Sequence, residues 1–172
     1  MATDDIMLRS PSPNQRANLR IASLKVLIVD NEHYMRKVTR TILNAIGIKT
    51  ILEAPDGAAG FELARSNLPD LMIVDWEMPL INGAELVRMI RTPGDFPAPD
   101  TPIIVLSAHA DQGRVMESAR VGANEFVRKP VSIKTLSDRI AAVISRPRPT
   151  VQLQGYYGPM PRRLVTLETG DR

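Results

Sequence analysis

One acid in this chain stands where a short apolar run meets a turn: Leu71-Met72-Ile73-Val74 leads into Asp75, and Trp76-Glu77-Met78-Pro79 follows. Four apolar residues bounded by Pro69-Asp70 and Met78-Pro79 predict a strand buried on both faces, so Asp75 emerges at its carboxyl end. In parallel α/β sheets, ligand sites lie along that edge. Three other apolar runs also end in polar residues. Val26-Leu27-Ile28-Val29 is followed by Asp30-Asn31-Glu32, Ile103-Ile104-Val105-Leu106 by Ser107-Ala108, and Glu125-Phe126-Val127 by Arg128 and then Lys129-Pro130. Parallel strands would bring all four ends to one edge, surrounding Asp75 with carboxylates, a hydroxyl and an ammonium.

That set suits phosphoryl transfer to a carboxylate. A carboxylate is a weak nucleophile, so its acceptor role depends on positioning and on neutralising charge spread over the three equatorial oxygens of the transferred group. A hard divalent ion, Mg2+, is expected to bridge Asp75 and the acids after the first strand to one phosphoryl oxygen. Lys129 would contact a second oxygen and the Ser107 hydroxyl a third. Each residue alone has a plainer reading. Asp75 suits a turn or cap, Asp30 and Glu32 could cap the first helix, Ser107 could bond the backbone, and Lys129 could be a solvated charge. Their joint placement favours the site. Trp76 is expected to be exposed or half-buried beside it, as packing or as a gate. His109 is expected to tune access to the phosphate or its hydrolysis, and His33 to start a helix; neither is read as a phosphodonor or metal ligand.

The elements that must position these groups are legible from spacing. Met35, Val38, Ile42, Ala45 and Ile46 form one helical stripe that stops at Gly47. Asp56 can cap a second helix carrying Phe61, Leu63 and Ala64. Leu86, Val87 and Ile90 mark a third, ending before Pro93. Asp111 can cap a fourth that runs to Gly122, and Ser132 a fifth carrying Leu136, Ile140, Val143 and Ile144. A proline-rich loop spans Thr92 to Pro102. Strands alternating strictly with helices imply a parallel sheet with right-handed crossovers and helices on both faces. No glycine-rich phosphate loop follows the first strand, which argues against a nucleotide site.

At 172 residues the chain suits one domain with modest tails. Residues 1–22 read as a flexible lead, 23–146 as the folded domain, and 147–172 as a basic tail containing proline and tyrosine. The tail is either a disordered extension or a docking segment in which tyrosines anchor and arginines meet an acidic partner, and it is too short for a helix-turn-helix output domain. The sequence contains no cysteine, which removes disulfides and thiol chemistry. Residues 23–145 balance 14 basic against 15 acidic side chains, so the net charge of +3 comes from the ends and DNA binding is not expected. Apolar runs are strand-sized, so no membrane insertion is expected and a cytoplasmic location is the default.

From about Leu24 to Ser145 the chain resembles the receiver domain of bacterial two-component response regulators. The likeness is carried by LIVDNE, MIVDWEMP with Asn82-Gly83 shortly after, VLSA, and GANEFVRKP, in the family's order. It implies a flavodoxin-like doubly wound sheet of five parallel strands in the order 2-1-3-4-5. It also implies Asp75 as phosphoacceptor, Asp30 as an acidic-pocket residue, Glu77 as a Mg2+ ligand through its backbone carbonyl, Ser107 and Phe126 as the switch pair, and Lys129 as the phosphate contact. A cis Lys129-Pro130 bond is expected on the same ground. By resemblance the protein is a phosphoacceptor and not a turnover enzyme. Its phosphodonor would be a sensor histidine kinase or phosphotransfer protein. Its downstream partner would meet the surface of the fourth helix, fifth strand and fifth helix, or the tail, and that surface could also form a homodimer.

One residue departs from the family pattern: Asn31 stands where a second acid usually follows Asp30. An amide oxygen brings no negative charge, so Mg2+ binding should be weakened, with Glu32 as the substitute ligand, directly or through water. Two competing classes follow. One is a pseudo-receiver or scaffold whose contacts ignore phosphate. The other is an aspartyl-nucleophile phosphatase of the haloacid dehalogenase kind, for which Asp75-Trp76-Glu77 offers only a longer acid at the second position.

Overall fold

The computed structural model describes residues 12–160. In chain order its elements are α1 (Pro13–Ala22), β1 (Lys25–Val29), α2 (His33–Ile46), β2 (Thr50–Ala54), α3 (Gly57–Asn67), β3 (Leu71–Asp75) and α4 (Gly83–Arg91). Then follow β4 (Ile103–Ser107), α5 (Gln112–Val121), β5 (Glu125–Arg128), α6 (Ile133–Ser145), β6 (Thr150–Leu153) and β7 (Tyr156–Pro159). Strands β1 to β5 form one sheet in the order β2-β1-β3-β4-β5, with every pairing parallel.

Alternation along the strands divides the core in two. Leu27, Val29, Met72, Val74, Ile103 and Val105 meet Ala64 of α3, Leu86, Val87 and Ile90 of α4, and Val121 of α5. On the other face Val26, Ile28, Ile73, Ile104 and Leu106 meet Ile42 and Leu43 of α2 and Leu136, Ile140 and Val143 of α6. Because both faces are covered, the central strands are apolar throughout and polar residues are confined to their ends. The expected helix signals are used: Asp56, Asp111 and Ser132 each accept from a backbone N–H in the first turn, and Gly47 and Gly122 close α2 and α5 at φ +108° and +104°. The buried stripe of α2 runs through Thr39, Ile42 and Leu43, while Ala45, read from the sequence as part of it, is exposed.

Two segments depart from the sequence reading. Residues 13–22, expected as irregular lead, form α1: Ser12 and Gln15 make a reciprocal capping box, Pro13 occupies the first turn, and Ile21 is buried in the α2/α6 core. Residues 1–11 lie outside the described residues. In the expected basic tail, β6 and β7 pair antiparallel as a hairpin around Gly155, whose φ of +71° suits only glycine comfortably. Arg162 and Arg163 lie outside the described residues.

The hairpin sits at the amino-terminal edge of the sheet. Arg148 donates to the carbonyls of Ala123 and Met160, both at 2.8 Å. Beneath β7 lies Arg91, 1% exposed, whose guanidinium donates to the carbonyls of Pro99, Thr101 and Gly122 and to the side chain of Asn124. A Cβ on Gly158 would lie 2.5 Å from Arg91 Cδ, so only glycine lets β7 approach this closely.

Candidate functional site

Strands β1 and β3 are neighbours in register, Val29 opposite Val74, so the residues that follow, Asp30 and Asp75, lie side by side at the carboxyl edge. Both are 2% exposed. Lys129 reaches them from the end of β5, across β4. Its backbone N–H donates to the Ser107 carbonyl at 2.8 Å, the cis Lys129-Pro130 bond follows, and its ammonium lies 2.9 Å from Asp75 Oδ1 and 3.2 Å from Asp30 Oδ2. Asp30 Oδ1 also accepts the Glu32 N–H at 2.8 Å.

Burial pushes the Asp75 carboxyl up to about 6; the Lys129 hydrogen bond pulls it down, and the neighbouring Asp30 charge pushes it up again. Burial draws the Lys129 ammonium down, but its hydrogen bond and charge pairing with Asp75, and its pairing with Asp30, outweigh that and the net shift is upward. One cation is thus shared between two buried acids. The pocket holds an anionic excess around a positioned ammonium.

Ser107 is fully buried at the end of β4, beside β3. Its hydroxyl contacts Glu77 Oε1 and the His109 carbonyl (2.8 Å), and it accepts the His109 N–H at 3.1 Å. Glu77 Oε2 accepts the Ala108 N–H at 3.3 Å. Spacing in the sequence gives no sign of this pairing, because it depends on Glu77 folding its side chain across to the next strand end. Phe126 is half-buried and packs against the α3/α4/α5 core.

Trp76 differs from expectation: it is buried at 7% exposure, its N–H donating to the Leu106 carbonyl at 2.8 Å and its carbonyl accepting from Gly83 at 3.0 Å. Gly83 brings α4 tightly against this strand end, since a Cβ there would lie 2.7 Å from the Asp75 carbonyl oxygen. Asn82 and Glu85 cap that helix reciprocally. Trp76 is therefore a packing residue.

Asn31 and Glu32 are exposed on the turn after β1, and Glu32 stands at the cap of α2 without a side-chain cap bond. His33 is the first residue of α2, and His109 is exposed. Arg36, not singled out from the sequence, donates to the Asp30 carbonyl at 2.8 Å. Its signal was its position, one turn into the helix that follows the acidic strand end.

Among the described residues no three His, Asp or Glu side chains form a group able to hold a metal by themselves. Mg2+ does not require one, since it is commonly held by one or two carboxylates with waters and a substrate phosphate. Two adjacent buried carboxylates at a sheet edge are a donor set of that kind.

Comparison with known proteins agrees with this geometry. The family model for the response regulator receiver domain matches residues 26–141. The chemotaxis protein CheY of Pseudomonas aeruginosa is 30% identical over 123 residues, covering 72% of this chain and 98% of that protein. Among solved structures, CheY4 of Vibrio cholerae aligns with a TM-score of 0.63 at 28% identity, covering 70% of this chain and 98% of that one. The receiver domain of the Francisella response regulator 1452 aligns with a TM-score of 0.65 at 28% identity, covering 72% and 98%. Residues 147–160, with the hairpin, lie beyond the matched family region.

Proposed function

Since this chain belongs to the response regulator receiver domain family, we propose that it is a signalling switch in which Asp75 accepts a phosphoryl group and the modified site alters protein contacts. The observation that carries the reading is the Lys129 ammonium held between two buried aspartates at the carboxyl edge of the sheet. Receiver domains of this kind are in general phosphoacceptors and not turnover enzymes, and they act with histidine kinases and downstream proteins.

The transfer follows from the charges. An Asp75 oxygen attacks phosphorus and an acyl phosphate forms as the bond to the donor's imidazole nitrogen breaks; that ring, protonated on its other nitrogen, takes the bonding pair and leaves as neutral imidazole. Lys129 already points at Asp75 and can follow the new charge onto a phosphoryl oxygen. Asp30 holds Lys129 in place before and after transfer. The Ser107 hydroxyl serves a second oxygen, and Phe126 repacks as Ser107 shifts. Asp30, Asp75 and the Glu77 carbonyl would hold Mg2+, with Asn31 or Glu32 as a further ligand. When bound, the ion supplies charge neutralisation at a phosphoryl oxygen. Having Asn31 in place of an acid weakens that hold. The readout surface in this reading is the face of α5, β5 and α6.

Incubation with a small phosphodonor and Mg2+, followed by intact-mass measurement of wild type and Asp75→Asn, tests the proposal. One phosphoryl added to wild type alone is expected. No gain on wild type overturns the reading in favour of a phosphate-independent scaffold, whereas turnover of a generic phosphate ester that is lost in Asp75→Asn overturns it in favour of a phosphatase.

A further inference from the structure

The Ser107 hydroxyl is not waiting unoccupied for a phosphoryl group. Glu77 reaches from the strand end bearing Asp75 to the next strand end and engages two donors at once, the Ser107 hydroxyl through Oε1 and the Ala108 N–H through Oε2. A carboxylate with a donor on each oxygen occupies this corner as an anionic group would. Ser107 is fully buried, so its hydroxyl has no competing water; the His109 carbonyl at 2.8 Å is the other acceptor it contacts, and Glu77, an acceptor only, takes the proton. A serine hydroxyl has a single proton, which it cannot give to Glu77 and to a phosphoryl oxygen at the same time.

We propose that Glu77 is an intramolecular competitor that latches Ser107 and Ala108 in the unphosphorylated state and must be displaced for phosphorylated Asp75 to recruit them. This inference rests on Asp75 being the phosphoacceptor. Two effects oppose the incoming group: the donors are already engaged, and the latch itself carries a like charge. Hydrogen bonds to charged groups are the stronger class, so release of the latch is a real part of the cost of phosphorylation. Glu77 is a positioning residue in this scheme and does not itself take part in bond making. Its control over the site runs through Ser107, which separates the latch from plain electrostatic repulsion.

The test is a cycle of wild type, Glu77→Ala, Ser107→Ala and the double variant. Rates of mass gain with a small phosphodonor and Mg2+ are combined with the Ala108 amide resonance of the unphosphorylated proteins. The latch predicts that Glu77→Ala raises the rate about tenfold when Ser107 is present and much less in the Ser107→Ala background, since coupled residues are non-additive. It also predicts that the Ala108 amide shifts and exchanges faster in Glu77→Ala. An equal gain in both backgrounds leaves charge repulsion as the whole effect and overturns the latch, as does an Ala108 amide indifferent to Glu77. Absence of mass gain in all four proteins instead overturns the phosphoacceptor reading and this inference with it. Because the amide measurement needs no phosphate, a false latch and a false phosphoacceptor give different results.

Discussion

The guanidinium of Arg91 grips the carbonyl of Gly122 twice, through Nε at 3.2 Å and Nη2 at 3.0 Å, and so ties the end of α4 to the turn between α5 and β5. It also donates to the Pro99 and Thr101 carbonyls and the Asn124 side chain, and pairs with the Tyr156 hydroxyl of β7. Burial draws this guanidinium down to about 10, against the opposing pull of nearby Tyr156 and Asp100, and it stays charged at neutral pH. Replacement by methionine keeps the volume but leaves several buried acceptors without donors, and it should cost about 3 kcal/mol or more. Arg91→Lys should recover only part of this, because an ammonium cannot reproduce the planar fork. Urea titration of both variants checks the order.

The hairpin is expected to stabilise the domain by covering this arginine. Gly158→Val, for which there is no room beside Arg91 Cδ, should lift β7 and lower stability by about 1–3 kcal/mol, and deletion of residues 147–172 should cost a similar amount. If the two losses add in a combined Arg91→Met and deletion protein, the hairpin and the arginine are not coupled.

Acidity should favour the metal-free fold through Asp75. Its folded value of about 6 lies above that of an unfolded aspartate, near 3.9, so the native state binds the extra proton between those limits. That contribution is complete below about pH 4 and is lost as pH rises through about 6. Asp75→Asn should therefore stabilise the protein at pH 7 by about 1–3 kcal/mol and flatten the stability profile between pH 4 and 6. Chemical denaturation in the presence of a chelator measures both.

Lys129→Met should slow phosphorylation by about a hundredfold or more while leaving the sheet intact, since the ammonium is the positioned cation at the acceptor. It also leaves Asp30 and Asp75 facing each other unshielded, so the variant should be less stable at pH 7 than at pH 5. Mass gain at the wild-type rate would remove Lys129 from the mechanism.

Asn31→Asp should tighten Mg2+ binding by about tenfold, because an added carboxylate raises the charge of the donor set. The chain has one tryptophan, Trp76, next to Asp75 in sequence, which makes its fluorescence a direct titration signal. An unchanged midpoint would show that the turn holds residue 31 away from the ion.

The strand ends were legible because the apolar runs of β1, β3 and β4 each stop at a polar residue of the candidate site, and burial on both faces makes that boundary sharp. Helix ends were legible where a residue type is nearly obligatory, as at Gly47 and Gly122. α1 was not, because it buries only Ile21 and an isolated contact leaves no period. The hairpin was missed for a similar reason: β6 is largely exposed and shows no alternation, although Gly155 between two four-residue runs was an available sign. Burial of Trp76 depends on the close approach of α4 at Gly83, and the Glu77–Ser107 pairing on a long side chain crossing between strands. Both are tertiary facts with no local signature.

The Lys129 bridge spans 99 residues to Asp30 and 54 to Asp75, so it is among the most non-local contacts in the chain. Such contacts close only after the strands between them have assembled, late on any folding route. Asp75 on a nascent or partly unfolded chain has no ammonium beside it and no buried neighbour, and is an ordinary solvated acid. The proposed phosphoryl transfer is thereby reserved for finished molecules: under that reading, damaged or immature copies would neither consume phosphodonor nor report a signal, without any separate proofreading step.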